Sequence, residues 1–451
     1  MKITPLPMQL DSSRCDKAIR ASFLHFIDDP DKSSDAWEYI EDGLLILKLG
    51  QVTALGNTDD WFDFLPDGVE FHDYTGKLIM PGFIDTHAHY PQTDIIASYG
   101  AQLLEWLEKY TFPTEAKFSD INVANASAEF FCDELLRNGT TTSGVFSTIH
   151  PESVDAIFSA AQKRDMRLIS GKVMMDRNAP DFLCDTAQSS YEDSAQLIEK
   201  WHHKGRALYA VTPRFAPTST IAQLRMAGKL LREYEGLYLQ THVAENADEV
   251  AWVSELFPDR RSYLDVYDHY GLLGERSIYA HCIHLDQADR ESMADSGAAM
   301  SFCPTSNLFL GSGLFDLDQA RENNIRVGVG TDVGGGTSFS ILQTLNEAYK
   351  VCQMSGQILT SMKAFYLATL GGAKSLYLDH VLGNFEIGKE ADFVVLDLNA
   401  TALMKRRMAI SDSIQDQLFA LMMLGDDRSV HATFVMGVCQ MQEGRPAWQR
   451  S

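Results

Sequence analysis

Basic residues are in short supply in this chain. Lys and Arg number 38 against 62 Asp and Glu, a formal net charge of -24 over 451 residues. Such a surface repels phosphate backbones and anionic membrane surfaces, so neither nucleic acid nor a membrane is expected as a partner. A small neutral substrate is not excluded, because one local pocket overrides the global field. Long apolar runs are also missing. No stretch of about 18 apolar residues occurs, so no transmembrane helix is expected. Residues 1–8 lack the apolar core of a signal peptide. Cysteine is sparse. Cys15, Cys132, Cys184, Cys282, Cys303, Cys352 and Cys439 are odd in number, scattered, and form no Cys-x-x-Cys. That pattern argues against a disulfide framework or a thiolate zinc site. With no export signal, a cytoplasmic location is expected.

What is present is an ordinary globular composition, 45% hydrophobic and 22% charged. Residues 1–77 read as β, with short apolar runs at 21–27 and 44–54 around an acidic loop at 28–35. From residue 78 strand and helix alternate. Eight β-rich runs end near residues 89, 149, 175, 213, 244, 284, 304 and 331, each separated from the next by helical sequence. Alternation of this kind implies a parallel sheet, and eight units close into a barrel. Three further helical stretches lie between 339 and 377, and β character returns after 379. The expected architecture is α/β: a (β/α)8 TIM-like barrel over 78–378, and a small β-sandwich domain built from 1–77 and 379–451.

The barrel register identifies the chemistry. The first strand ends in His87 and His89. Side chains two apart on a strand share a face, so both can reach one metal ion. The fifth strand carries His242 and runs on to Glu245, the sixth contains His281, and the eighth leads to Asp332. The C-terminal rim of a barrel is where catalytic groups converge. Three histidines and an aspartate suit one catalytic divalent metal, which lowers the pKa of bound water from about 15.7 to about 7. Glu245 stands near the metal without needing to bind it, which suits general acid/base work. His281 is either a hydrogen-bond partner of the hydroxide or itself a ligand.

Pro81-Gly82-Phe83-Ile84-Asp85-Thr86-His87-Ala88-His89, with His242, His281 and Thr331-Asp332, resembles the amidohydrolase superfamily signature. The run from Gly383 to Asp397 resembles that superfamily's return to its β domain, so the resemblance spans essentially the whole chain. Within it, His89-Tyr90-Pro91-Gln92, Leu104-Glu105-Trp106-Leu107, Tyr110-Thr111-Phe112-Pro113-Thr114-Glu115, Thr212-Pro213-Arg214-Phe215-Ala216-Pro217 and Cys303-Pro304-Thr305-Ser306-Asn307 are similar to the guanine deaminase family. The resemblance implies one zinc ion per subunit on His87, His89, His242 and Asp332. It implies that Gln92, Arg214, Phe215 and His281 contact the purine, with His89, His242 and Asp332 bordering it. Glu245, Asp332 and His281 would be the catalytic groups, guanine the substrate, xanthine and ammonia the products, and a homodimer the assembly. Arg214 offers a planar donor fork, Phe215 a stacking face, and Gln92 both donor and acceptor. The rival readings are a deaminase or chlorohydrolase acting on another purine, a pterin or a triazine, and a non-catalytic scaffold of the same fold.

Overall fold

A computed structural model describes residues 15–100 and 102–450. Residues 1–14 of the expected N-terminal β part lie outside the described residues.

Eight strands form the barrel: Phe83–His89, Thr140–Phe146, Arg167–Gly171, Ala207–Pro213, Tyr238–Val243, Ser277–His281, Ala299–Phe302 and Arg326–Val329. They neighbour one another in chain order, and every pairing is parallel. The ends meet where Asp332 N donates to the His87 carbonyl at 2.8 Å and His89 N donates to the Val333 carbonyl at 2.6 Å. These strands are buried almost throughout, on both faces, and the burial takes in polar side chains such as Thr140 to Ser143 as well as apolar ones. Helices cover the outside, and side-chain caps such as Thr220, Asn246, Asp286 and Ser340 set where they begin.

Both ends of the chain build a second sheet of eight strands, in which Glu70–Pro81 from the N-terminal part pairs with Phe393–Leu396 from the C-terminal part. Its apolar residues alternate with period two. Ile19, Ala21 and Phe23 pack into the sheet's own core with Phe393 and Val395, whereas Leu24 and Phe26 face the barrel core.

Two expectations shift. The apolar run of residues 78–89 is two strands in two different sheets. Leu78 to Pro81 pair with the outer sheet, and the barrel begins only at Phe83. The hand-over therefore falls at Gly82 rather than between 77 and 78. A Cβ on Gly82 would come within 2.2 Å of Thr141 Oγ1, so no other residue fits this crossing undisturbed. Nor is the segment after 379 all β. Helices Ala402–Met408 and Ile414–Leu424 return to the barrel side, where Met404, Leu418 and Leu421 join its main core. No helix among the described residues is long and apolar enough to cross a membrane.

Candidate active site

The rim formed by the C-terminal ends of the barrel strands collects the polar side chains. His87 and His89 end the first strand, His242 lies in the fifth, His281 ends the sixth, and Asp332 follows the eighth. Four rim residues take left-handed backbone angles: Ala244 (φ 50°), His281 (φ 71°), Cys282 (φ 53°) and Asp332 (φ 50°). The chain turns out of the barrel sharply there, and Asp and His are among the few side chains that tolerate this region.

His89 Nε2 stands 3.2 Å from His87 Nε2 and 3.1 Å from His242 Nε2. Asp332 Oδ1 lies 3.3 Å from the former ring's neighbour His87 and 3.4 Å from His89. All four side chains are buried. His242 Nδ1 donates to the Arg214 carbonyl at 2.7 Å, so in the neutral ring Nε2 carries only a lone pair. Crowded nitrogens of this kind cannot satisfy one another through hydrogen bonds. A cation at their centre reconciles them, since four ligand atoms about 2.1 Å from a zinc ion in a tetrahedron stand about 3.4 Å apart. The donor set therefore fits a divalent metal.

Charge states agree. Burial holds His242 and His89 well below the ordinary imidazole range, and keeps His87 low despite the pull of Asp332. Neutral rings are what a metal requires. Burial alone would raise the Asp332 carboxyl, but His87, His281 and His89 carry it far below the usual carboxylate range. His281 differs. Burial opposes its charge, yet Glu245 and Asp332 raise it above the ordinary value. Its Nδ1 faces Asn307 Oδ1 at 2.8 Å, and its Nε2 faces Glu245 Oε2 at 3.4 Å and Asp332 Oδ2 at 3.8 Å. Burial drives the Glu245 carboxyl up to about 7; His281 opposes this, and the nearby Glu249 and Asp332 add to it. A carboxyl poised there both takes and gives a proton near neutral pH.

Beside the metal quartet lies a cavity lined by His89, Gln92, Arg214, Phe215, His242, Glu245, His281 and Asp332, with Leu103, Trp106, Leu107 and Leu310 as apolar walls. Helix Ala247–Leu256, capped by Asn246 and Glu249, begins immediately after Glu245 and fixes its exit from the strand. Glu249 also accepts from the backbone N of Glu245 at 3.0 Å. Ser312 donates to Glu245 Oε1 at 2.9 Å. Arg214 is not the free fork its motif suggested. Its Nη1 donates to both oxygens of the buried Glu115, at 2.9 and 2.7 Å.

An amidohydrolase family model matches residues 78–439. The chain belongs to the amidohydrolase family. It is 54% identical to the guanine deaminase of Escherichia coli over 93% of this chain and 97% of that protein. The solved E. coli guanine deaminase superposes with a TM-score of 0.93 at 53% identity, covering 94% of this chain and 99% of that one. A guanine deaminase from C. acetobutylicum, solved with guanine bound in its active site, matches with a TM-score of 0.84 at 29% identity, over 94% and 99% of the two chains.

Every residue singled out in the sequence of this amidohydrolase gathers at one rim, and His281 stands outside the ligand quartet. Three partners went unassigned. Asp85, two residues before His87, accepts from Thr331 N at 3.0 Å, Thr331 Oγ1 at 2.5 Å and His87 N at 3.2 Å. It ties the first strand to the eighth, and burial pushes its carboxyl up to about 7 against those hydrogen bonds. Asn307 orients His281, and Glu115 holds Arg214. A carboxylate in a fully buried strand, two residues before His87, was the local sign of Asp85. Nothing local marks the pairing of Glu115 with a residue 99 positions away.

Proposed function

We propose that this protein hydrolyses guanine to xanthine and ammonia. The observation that carries the reading is the junction of two sets of side chains in one cavity. The four metal-type ligands and Glu245 share it with the donor side chains of Arg214 and Gln92 and the aromatic ring of Phe215; His89, His242 and Asp332 of the quartet line the cavity directly. Guanine is the base named with the relatives of this chain. His87, His89, His242 and Asp332 would hold zinc, one ion per subunit. When bound there, the metal supplies the Lewis acidity that makes hydroxide available from water near neutral pH.

The side chains do the rest. Phe215 stacks on the purine, and Arg214 and Gln92 hydrogen-bond its polar edge, which places C2 over the reacting end of the cavity. Glu245 takes a proton from the attacking water as the C2–O bond forms, and delivers it to ring N3. His281, held by Asn307, donates a hydrogen bond toward the developing oxygen charge. The C2–N bond then breaks, with Glu245 and Asp332 as the groups that route a proton to the departing amine. Ammonia leaves and xanthine remains. We further place the protein in the cytoplasm as a homodimer, in keeping with a chain without a transmembrane-length apolar run and with its family.

The test is ammonia release from a panel of guanine, adenine, cytosine and a triazine by the metal-loaded protein. Release from guanine is expected to dominate. A metal-loaded protein inert toward guanine defeats the proposal, and preference for another base moves it to a related deaminase. A native preparation free of metal would favour the scaffold reading.

A further inference from the structure

We infer that Glu115, acting through Gln92 and Arg214, sets a preference for a purine with an oxo acceptor at C6 over one with an amine there. The inference rests on the guanine reading above and makes Glu115 a positioning residue for it. Glu115 is fully buried, closes the helical turn Phe112–Glu115, and stands behind the cavity wall rather than in it. Its Oε1 accepts from Gln92 Nε2 at 3.0 Å and from Arg214 Nη1 at 2.9 Å, and its Oε2 accepts from Nη1 at 2.7 Å.

An ionised carboxylate only accepts hydrogen bonds. It therefore holds the amide NH2 of Gln92 toward itself. The amide oxygen is left against Gly334 N, at 3.4 Å. A flipped Gln92 would set its oxygen against a carboxylate oxygen, so the amide keeps one sense. Arg214 has donors and no acceptor. Glu115 engages Nη1 alone, and so neutralises a buried guanidinium without occupying its other N–H groups. The resulting wall presents donors of fixed direction. Guanine's C6 oxygen accepts from such a wall. 2,6-Diaminopurine carries the same C2 amine but a C6 amine that donates, and it meets donor with donor. A site built to hydrogen-bond one partner rejects its mismatched analogue because buried polar groups are left unpaired. A carboxylate that merely stabilised the fold would support both substrates alike.

The test compares kcat/KM for ammonia release from guanine and from 2,6-diaminopurine in wild-type, E115Q and E115D holoenzymes, with metal content and melting temperature measured on each. The wild type is expected to favour guanine. E115Q is expected to narrow that ratio about tenfold or more, chiefly through a higher KM for guanine, with metal content unchanged. E115D, whose carboxylate is withdrawn by one methylene, is expected to narrow it less. An unchanged ratio in E115Q, or an equal fall in kcat on both substrates, overturns the inference. If E115Q does not fold, E115D decides, and a ratio equal to wild type overturns it. A wild type inert toward guanine removes the functional reading and this inference together. An active wild type with an unaltered E115Q ratio removes the inference alone.

Discussion

At the scale of single residues, the site separates charge states within a few ångströms. His87, His89 and His242 are held neutral by burial, while His281 is favoured in its charged form by Glu245 and Asp332. Glu245 lies outside the ligand quartet and has an elevated carboxyl. Replacing it with Gln removes the carboxyl proposed to carry the proton and leaves His87, His89, His242 and Asp332 in place. E245Q is expected to keep its metal, read by elemental analysis, while turnover falls by roughly 10²–10⁴-fold. Loss of the metal in E245Q would contradict the role assigned here. Asp85 makes the opposite prediction. It does not line the cavity but anchors the backbone of both His87 and Thr331. D85N is expected to weaken metal affinity by about 10–100-fold, the usual cost of losing a group that orients metal ligands. Competition with a graded chelator measures it.

At the scale of elements, the hand-over at Gly82 decides whether two sheets share one chain without strain. Leu78 to Pro81 serve the outer sheet, and Phe83 to His89 serve the barrel and carry His87 and His89. A side chain at 82 would collide with Thr141 on the neighbouring barrel strand. G82V is expected to destabilise the protein by about 1–3 kcal/mol, as overpacking does, with a lower urea midpoint. Much of the element pattern was legible beforehand. Strand-like runs and helical spacing are local patterns, so the alternation of eight units could be counted along the chain. The hand-over was not legible, because residues 78–89 are apolar on both sides of Gly82 and periodicity does not reveal which sheet a strand joins. The two helices after residue 400 also went unread, since the flanking strands dominate that part of the chain.

At the scale of the whole molecule, the outer sheet is tied to the barrel by charge as well as by packing. Arg206 pairs with Asp392 at 2.5 Å and Glu390 at 2.6 Å, and Arg167 also pairs with Glu390. Burial pushes the Glu390 carboxyl up, but Arg206 and Arg167 outweigh it and hold the group below its ordinary value. A carboxylate with a depressed folded pKa contributes stability that is fully present above its unfolded pKa of about 4.3 and is lost as pH falls through the folded value. Stability is therefore expected to decline on acidification below about pH 4.3. E390Q is expected to lose about 1–3 kcal/mol at neutral pH and to show a shallower acid slope. Urea midpoints across pH 3–7, an interval chosen to span the ordinary carboxylate range of about 4, check both.

The sequence by itself determined the barrel, the metal-ligand-type side chains His87, His89, His242 and Asp332, and the rim they share. Strand alternation puts His87 beside His89, and a parallel barrel sends every strand's C-terminal end to one face, so those facts follow from local pattern and topology. Tertiary structure alone decided how the site is held. Asp85 meets Thr331 across 246 residues, Arg214 meets Glu115 across 99, and His281 meets Asn307 across 26. Each is a buried polar group whose hydrogen-bond partner comes from another element of the chain. Burial makes such pairing obligatory, but only the folded chain determines which donor stands opposite which acceptor.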